Sequence, residues 1–432
     1  MVVRVDDFCA PQSISIAAAH KSAGKADLVG IVLELRINTG HLNYDIPVDQ
    51  NLTLGHPVSP NSHWSPSRYP AMTLIRFGEK PPNKTLKGHK LLVALPSFKP
   101  SKEEVNEVKS HYPGLEVQVS SVKDVTKEEW KDVTILVTGY NSEGLPDKDD
   151  VPNLEYVQLS SAGANLVVSD PLYKDTDIAF CTANGVHGPQ ISEWIIATFL
   201  GFQHHLTSYL DKQRAGKWDR STEPTIDAVK KRVGILGYGA IGRQTARVAT
   251  ALGMEVYAYT LHERKTPESK RDETYAPSGL GDPEGIFPSK WFFGETKEQL
   301  HEFLGSGLDL LIVSMPLTEK TTGLISAPEF KVLSERKTFV SNIARGPIVN
   351  TEDLIEALDK ELIRGAALDV TDPEPLPEGH PLWSAKNVVI TPHISAASES
   401  YFERVWAIVK LNLDRLSKGK ELTNKVNRKE GY

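Results

Sequence analysis

Four ionisable residues stand where strand-like runs end in the second half of the chain. Arg345 follows Thr338 to Asn342, Asp369 sits near the end of Gly365 to Val370, Glu374 lies just beyond it between two prolines, and His393 follows Asn387 to Thr391. In an open parallel sheet all four lie at the carboxyl-end crevice, where such sheets bind ligands. Their types suit delivery of a hydride to a ketone. The carbonyl oxygen then needs a proton, and a His paired with a carboxylate holds one near neutral pH while its ring is kept in place; His393 with Glu374 can do this. A planar guanidinium grips a carboxylate with fixed geometry, so Arg345 is the residue expected to orient a 2-keto acid. Singly, each has an ordinary reading: Glu374 as a loop cap, Arg345 as a surface ion-pair partner, His393 as a buried hydrogen-bonded ring. Together they carry the argument, because three strand ends agree.

A second constellation precedes these. Gly237-Tyr238-Gly239-Ala240-Ile241-Gly242 follows the apolar run Arg232 to Leu236 and opens a stretch with Ile241, Thr245, Val248 and Leu252 on one helical face. In that strand–turn–helix context Gly237 makes the tight turn, Gly239 lets the backbone approach a pyrophosphate, and Gly242 packs helix on strand. A dinucleotide site is the expectation, with Ala240 and Ile241 opening the helix at the phosphates. The next strand, Glu255 to Tyr259, ends not in the usual Asp but in Thr260, followed by His262, Arg264 and Lys265. A carboxylate there would repel a 2′-phosphate, whereas a hydroxyl with cations behind it can receive one, so NADP(H) is favoured over NAD. The alternative is that Arg264 and Lys265 only solvate the surface, with Glu263 and Glu268 offsetting them.

The elements that must position these groups read as two alternating series. In the first, strands at Lys90 to Ala94, Leu115 to Val119, Thr134 to Val137, Tyr156 to Leu159 and Asp177 to Cys181 alternate with helical segments, one starting after Ser101 as N-cap. A long helix over about Gln190 to Arg214 leads into the second, in which six parallel strands and a helix starting at Asn350 or Thr351 complete a Rossmann domain. The stretch from Leu261 to about Phe293 exceeds a short connection and reads as an insertion, by default a surface elaboration, with dimer contact or cofactor clamping as alternatives. Residues 1 to 85 lack periodicity and are rich in Pro, Ser, Asn and Gly from Thr53 on, so they read as a disordered or extended lead. Met72 stands shortly before the change in texture, so residues 1–71 read either as dispensable, or even a mis-assigned start, or as a real disordered tail.

Composition narrows the classes. At 432 residues and roughly 150 per domain, two or three domains are expected. The net charge of -7 and the absence of a one-sign basic face argue against nucleic acid as a partner. Two cysteines without ligand spacing indicate neither a disulfide framework nor zinc, and no metal is expected. Apolar runs fall short of the ~18 residues of a spanning helix, no clean targeting segment opens the chain, and a cytoplasmic, membrane-free protein is expected. His187, His204, His205 and Trp194 read as helix-surface or core residues.

The stretches GILGYGAIG, MPLTEKTTGLI from Met315, NIARGPIVN from Asn342, ALDVTDPEPLP from Ala367 and TPHISAAS from Thr391 resemble, in order and spacing, the D-isomer-specific 2-hydroxyacid dehydrogenase family. The resemblance spans roughly Lys90 to the C-terminus. It implies Arg345, Glu374 and His393 as the catalytic trio, Asp369 against the nicotinamide, and Pro316, Ile343, Ala344 and Ser395 among the cofactor-binding residues. It implies a flavodoxin-like α/β substrate domain of residues 86–186 with 399–432, a Rossmann domain of 187–398, and a homodimer. In that family a loop resembling Ser160-Ser161-Ala162-Gly163-Ala164-Asn165 offers backbone N–H groups to the substrate carboxylate, so Ser161, Ala162 and Gly163 are expected at the substrate. The implied activity is reduction of a small 2-keto acid such as glyoxylate or hydroxypyruvate. An NAD-linked dehydrogenase, or a cofactor-sensing corepressor-like protein, is the alternative. Glu374 stands where formate dehydrogenases of the superfamily resemble this region but carry Gln. Only 39 residues follow His393, too few for the regulatory tail of some phosphoglycerate dehydrogenases.

Overall fold

Two parallel sheets, each wrapped by helices, carry the residues singled out above. The computed structural model describes residues 15–18, 33–36, 81–95, 98–139, 144–164, 166–220 and 223–428, and the chain divides into two compact units, Met1–Ile75 and Arg76–Tyr432. In the first unit β1 (Ser15–Ala18) pairs antiparallel with β2 (Leu33–Arg36); the rest of the expected lead up to residue 80, Met72 included, lies outside the described residues. Leu86 is fully buried and the Thr85 carbonyl accepts from the Gly114 N–H at 2.9 Å, so residues 83–86 already belong to the packed structure.

In the second unit the smaller sheet is built from β3 (Lys90–Ala94), β4 (Glu116–Val119), β5 (Ile135–Thr138), β6 (Tyr156–Leu159) and β7 (Ala179–Cys181) in the order β4-β3-β5-β6-β7, all parallel. That is the flavodoxin-like order. Buried on both faces, β5 and β6 have no alternation, as covered parallel strands should not. Between β3 and β4 runs α1 (Lys102–His111), opened by a capping box in which Ser101 and Glu104 exchange bonds; the one-turn α2 (Lys127–Trp130) precedes β5 and α3 (Pro171–Lys174) precedes β7. A helix from the far end of the sequence, described below, closes this core.

The expected helix over Gln190 to Arg214 is two helices, α4 (Gly188–Gln203) and α5 (Leu206–Arg214). Between them His205 takes a left-handed φ of 55°, which ends the i→i−4 ladder without the Gly or Pro that would have flagged the break. After α5 the larger sheet begins: β8 (Arg232–Leu236), β9 (Glu255–Thr260), β10 (Lys290–Phe293), β11 (Leu310–Val313), β12 (Phe339–Asn342), β13 (Gly365–Leu368) and β14 (Val388–Ile390). The strands are parallel in the order β10-β9-β8-β11-β12-β13-β14, a doubly wound Rossmann sheet with one strand more than the six expected. The extra strand is β10, at the end of the stretch read as an insertion. It sits on the edge and is only partly buried, so its Lys-Trp-Phe-Phe run carries no alternating or continuous apolar signal.

Helix α6 (Ala240–Ala251) follows β8 and packs against α4, where a Cβ on Gly188 would lie 3.3 Å from the Gln244 side chain. Further on come the short α7 (Pro267–Lys270), then α8 (Lys297–Leu304), α9 (Ala327–Leu333) and α10 (Thr351–Asp359), the last N-capped by Asn350. Finally α11 (Tyr401–Ser417) returns to the smaller sheet, with Trp406, Val409 and Leu413 buried among Leu91, Val93, Ile135, Val137 and Tyr156.

The rest of the expected insertion is not a loose surface flap. Asp282 is 2% exposed, and its carboxylate accepts from the Tyr238 hydroxyl at 2.7 Å and from the Ile286 and Phe287 N–H groups. From α6, Arg243 donates to the Lys270 carbonyl and pairs with Asp272 at 3.2 Å, Gln244 accepts from the Gly281 N–H, and Arg247 donates to the Gly281 carbonyl. Bonds to a charged group contribute about 1.5–3 kcal/mol each, so this segment is clamped along the helix that follows the glycine motif. Its far end reaches the smaller sheet's side, where Tyr275 donates its N–H to Asn424 and its carbonyl fills the space that a Cβ on Gly185 would need.

Candidate active site

The glycine motif has the geometry its chemistry requires. Gly237 turns at φ 102°, and a Cβ there would come within 2.8 Å of the backbone at Ser314 and Met315. Gly242 is hemmed by the Gly237 carbonyl at 2.7 Å and Ile235 at 2.8 Å. Gly239 differs: a Cβ there would meet nothing within 4 Å, and as N-cap of α6 it makes no side-chain cap, so no side chain of the cap occupies the helix start at Ala240 and Ile241. An uncapped helix start beside a Cβ-sized gap fits a pyrophosphate. Across the crevice Pro316 leads a turn in which its carbonyl accepts from Thr321, and Ile343 and Ala344 form the buried exit of β12.

At the end of β9 the Thr260 hydroxyl donates to the His262 carbonyl at 2.7 Å. The two cations behind it are partly engaged. Arg264 gives Nη1 to the Ser269 carbonyl at 2.7 Å while its buried Nε has no partner, and Lys265 is exposed and paired with Glu263 at 2.9 Å. The neighbouring carboxylate, Glu295 two residues past β10, is taken by Lys320, which lowers its pKa.

The three strand ends singled out in the sequence converge. His393 Nδ1 lies 2.7 Å from Glu374 Oε1, both side chains near half exposed. The peptide bonds Asp372–Pro373 and Glu374–Pro375 on either side of Glu374 are cis. Arg345 leaves β12 extended, its carbonyl held by Asn342 Nδ2 at 3.1 Å and one guanidinium nitrogen given to the Ala344 carbonyl at 2.7 Å. The segments bearing Arg345 and Glu374 touch: a Cβ on Gly346 would stand 1.9 Å from the Thr371 carbonyl, so only glycine allows this approach, and Thr351 adds a bond to the Asp372 carbonyl.

Asp369 is 2% exposed and accepts from Ile394 N–H, from Ser395 N–H and hydroxyl, and from Thr391 Oγ1 at 2.6 Å. Its backbone carbonyl takes the His393 N–H at 2.8 Å. The His393 residue itself stands at φ 52°, a left-handed conformation that this lattice of bonds maintains. Asp369 and Ser395, expected at the cofactor, are thus the anchor of the turn that presents His393.

On the smaller sheet, the Ser160–Ala164 loop leaves β6. Ser161 donates to the Gly163 carbonyl at 2.8 Å and accepts from the Ala183 N–H at 2.8 Å, and Ala162 is exposed. Among the described residues no hydrogen bond takes up the N–H groups of Ala162 and Gly163, the arrangement an anion-binding loop needs. Asn165 lies outside the described residues.

Residues 196–279 and 289–395 match the family model for the NAD binding domain of D-isomer specific 2-hydroxyacid dehydrogenases. The glyoxylate/hydroxypyruvate reductase A of Photorhabdus laumondii is 32% identical over 245 residues, 57% of this chain and 69% of that protein. The chain belongs to the D-isomer specific 2-hydroxyacid dehydrogenase family. Two solved members superpose on it. The enzyme of Xanthobacter autotrophicus, in complex with NADPH and MES, gives a TM-score of 0.61 at 27% identity, covering 80% of this chain and 99% of that one. The NADPH-dependent glyoxylate/hydroxypyruvate reductase of Sinorhizobium meliloti, in complex with NADP and sulfate, gives 0.59 at 25%, covering 80% and 100%.

Within this 2-hydroxyacid dehydrogenase, sequence reasoning passed over one group. His187, taken as a surface or core residue, is buried at the start of α4 and meets the Tyr401 hydroxyl at 3.3 Å. The partners are 214 residues apart, and no local pattern joins them. Among the described residues no group of three or more His, Cys, Asp or Glu could hold a metal, and no helix is long and apolar enough to cross a membrane.

Proposed function

We propose that this protein reduces a small 2-keto acid of the glyoxylate or hydroxypyruvate class to the D-2-hydroxy acid with NADPH, reversibly. The His393–Glu374 pair at 2.7 Å, beside Arg345 at the carboxyl ends of one sheet, carries the reading. Glu374 occupies Nδ1, so Nε2 is the nitrogen left to give a proton to the carbonyl oxygen and to take it back in the reverse direction. Arg345 spends one N–H on the Ala344 carbonyl and keeps the rest of its fork for the substrate carboxylate. The loop N–H groups at Ser161, Ala162 and Gly163 hold that carboxylate from the other side. On this reading residues 86–186 with 399–432 bind substrate and 187–398 bind cofactor, in a cytoplasmic protein.

Gly237, Gly239, Ala240, Ile241 and Gly242 would hold the pyrophosphate, and Pro316, Ile343, Ala344, Asp369 and Ser395 would line the nicotinamide end. The dinucleotide, when bound, supplies the hydride. For NADP over NAD the support is the hydroxyl at Thr260, with Arg264 and Lys265 behind it and the nearby acids Glu263 and Glu295 neutralised by Lys265 and Lys320. The Xanthobacter and Sinorhizobium proteins were solved with NADPH and NADP. Following loss of the reduced-nicotinamide absorbance with glyoxylate and hydroxypyruvate should give a kcat/KM at least tenfold higher for NADPH than for NADH. Thr260→Asp should reverse the order, since one like-charge contact of about 1.4 kcal/mol is tenfold. A wild type that prefers NADH overturns the cofactor assignment alone. No turnover of any 2-keto acid, with cofactor-dependent assembly instead, overturns the enzyme reading.

A homodimer is part of the same proposal. Leu206, Tyr209 and Leu210 of α5 and the 94% exposed Trp218 form an apolar surface that a second copy would cover. Sedimentation of wild type at micromolar concentration should show a dimer and Leu210→Asp/Trp218→Asp a monomer; a monomeric wild type overturns it.

A further inference from the structure

The loop at Ser160 is tethered from the opposite end of the chain. Tyr401, first residue of α11, donates its hydroxyl proton to the Ser160 carbonyl. A phenol has one proton, so its 3.3 Å contact with His187 Nε2 requires the ring to be the donor. His187 therefore carries a proton on Nε2, and its buried Nδ1 has no partner among the described residues. The ring is 6% exposed, and burial, with Arg404 and Arg345 nearby, pushes its pKa down to about 4, so it stays neutral through the physiological range. The surroundings hold this relay rigidly. Arg404 donates to the Val186 carbonyl at 3.2 Å and to Gln190 Oε1 at 2.6 Å, and Gln190 donates to the Ala396 carbonyl at 3.0 Å. The two strands of chain that pass between the sheets, at 183–188 and 396–401, are thereby fastened beside the loop. Tyr401 also packs its ring at 5.1 Å against both His187 and Phe402.

We propose that Tyr401 is a positioning residue for substrate binding, oriented by His187: it holds the Ser160 carbonyl and so keeps the Ser161–Gly163 backbone in the conformation that leaves its N–H groups free for the substrate carboxylate. The inference rests on the reading of that loop as the carboxylate site. Its physical basis is the sign of the dipole. A carbonyl oxygen left unpaired beside an incoming carboxylate repels it, and one engaged by a phenol does not swing toward it. Tyr401 touches no reacting atom on this account, so its effect falls on KM.

Tyr401→Phe keeps the ring packing and removes only the hydroxyl. The variant should raise KM for the 2-keto acid about tenfold, with kcat within about twofold, and with the dissociation constant for NADPH and the melting temperature unchanged. His187→Gln, which can still offer an N–H near the Nε2 position, should raise KM less than His187→Ala. A wild-type KM in Tyr401→Phe overturns the proposal, and so does a parallel fall in kcat, cofactor affinity and melting temperature, which would mark a merely structural contact. Should the wild type turn over no 2-keto acid, the functional reading falls by itself. The tether is then read by amide hydrogen exchange: Tyr401→Phe should speed exchange at residues 161–163 and leave β6 and α11 as they were, and unchanged exchange in the loop overturns it.

Discussion

Replacing His393 with asparagine should lower kcat/KM for 2-keto acid reduction by about a thousandfold, within the 10²–10⁴ range that a positioned acid contributes. Asparagine is the sharper substitution because His393 sits at φ 52°, a region asparagine enters readily and alanine does not. The turn around Asp369 then stays intact and the loss reports the proton donor alone. The dissociation constant for NADPH, measured by quenching or by isothermal titration, should be unchanged. Glu374→Gln should fall between the variant and wild type, since the amide can still meet Nδ1 at the 2.7 Å contact but no longer stabilises the charged ring. A His393→Asn enzyme with more than a tenth of wild-type kcat/KM would remove His393 from the mechanism.

Arg345→Lys should be nearly as damaging, about a hundredfold in kcat/KM, although the charge is conserved. Lysine cannot give one hydrogen bond to the Ala344 carbonyl and keep a planar fork for the substrate; losing one bond between charged groups costs about 1.5–3 kcal/mol. The diagnostic is the substrate, not the rate. With the amide of the same 2-keto acid, which lacks the anionic partner, wild type and Arg345→Lys should differ by less than tenfold. An equal loss on acid and amide would mean that Arg345 supports the fold around Gly346 and does not grip a carboxylate.

Much of this was legible because the chemistry is local to strand ends. Gly237, Gly239 and Gly242 are spaced by the turn they make, and Arg345, Glu374 and His393 each follow an apolar run that a buried parallel strand must have. What escaped has a physical reason in each case. The strand Lys290–Phe293 lies on the sheet edge behind a charged segment, so neither alternation nor a continuous apolar run marks it. The break at His205 is a left-handed backbone turn with neither Gly nor Pro to mark it in the sequence. Asp369 was legible as a residue at the cofactor end, but its second part, accepting four bonds from its own turn and the neighbouring strand end, shows only in the structure. The contact between His187 and Tyr401 joins residues with nothing between them in sequence space that a periodicity could register.

The return of α11 to the smaller sheet also dictates an order of assembly at the ribosome. Leu91, Val93, Ile135 and Val137 emerge early, yet their core is completed by Trp406, Val409 and Leu413 near the chain's end. The larger sheet, by contrast, closes with β14 at Ile390. Vectorial synthesis ordinarily matures N-terminal domains first; here the nascent chain must carry an unfinished first layer, its apolar strands awaiting their last helix, while the second layer condenses. Loss of even the final two turns of α11, Leu413 among them, would therefore be felt in the smaller sheet, synthesised long before it.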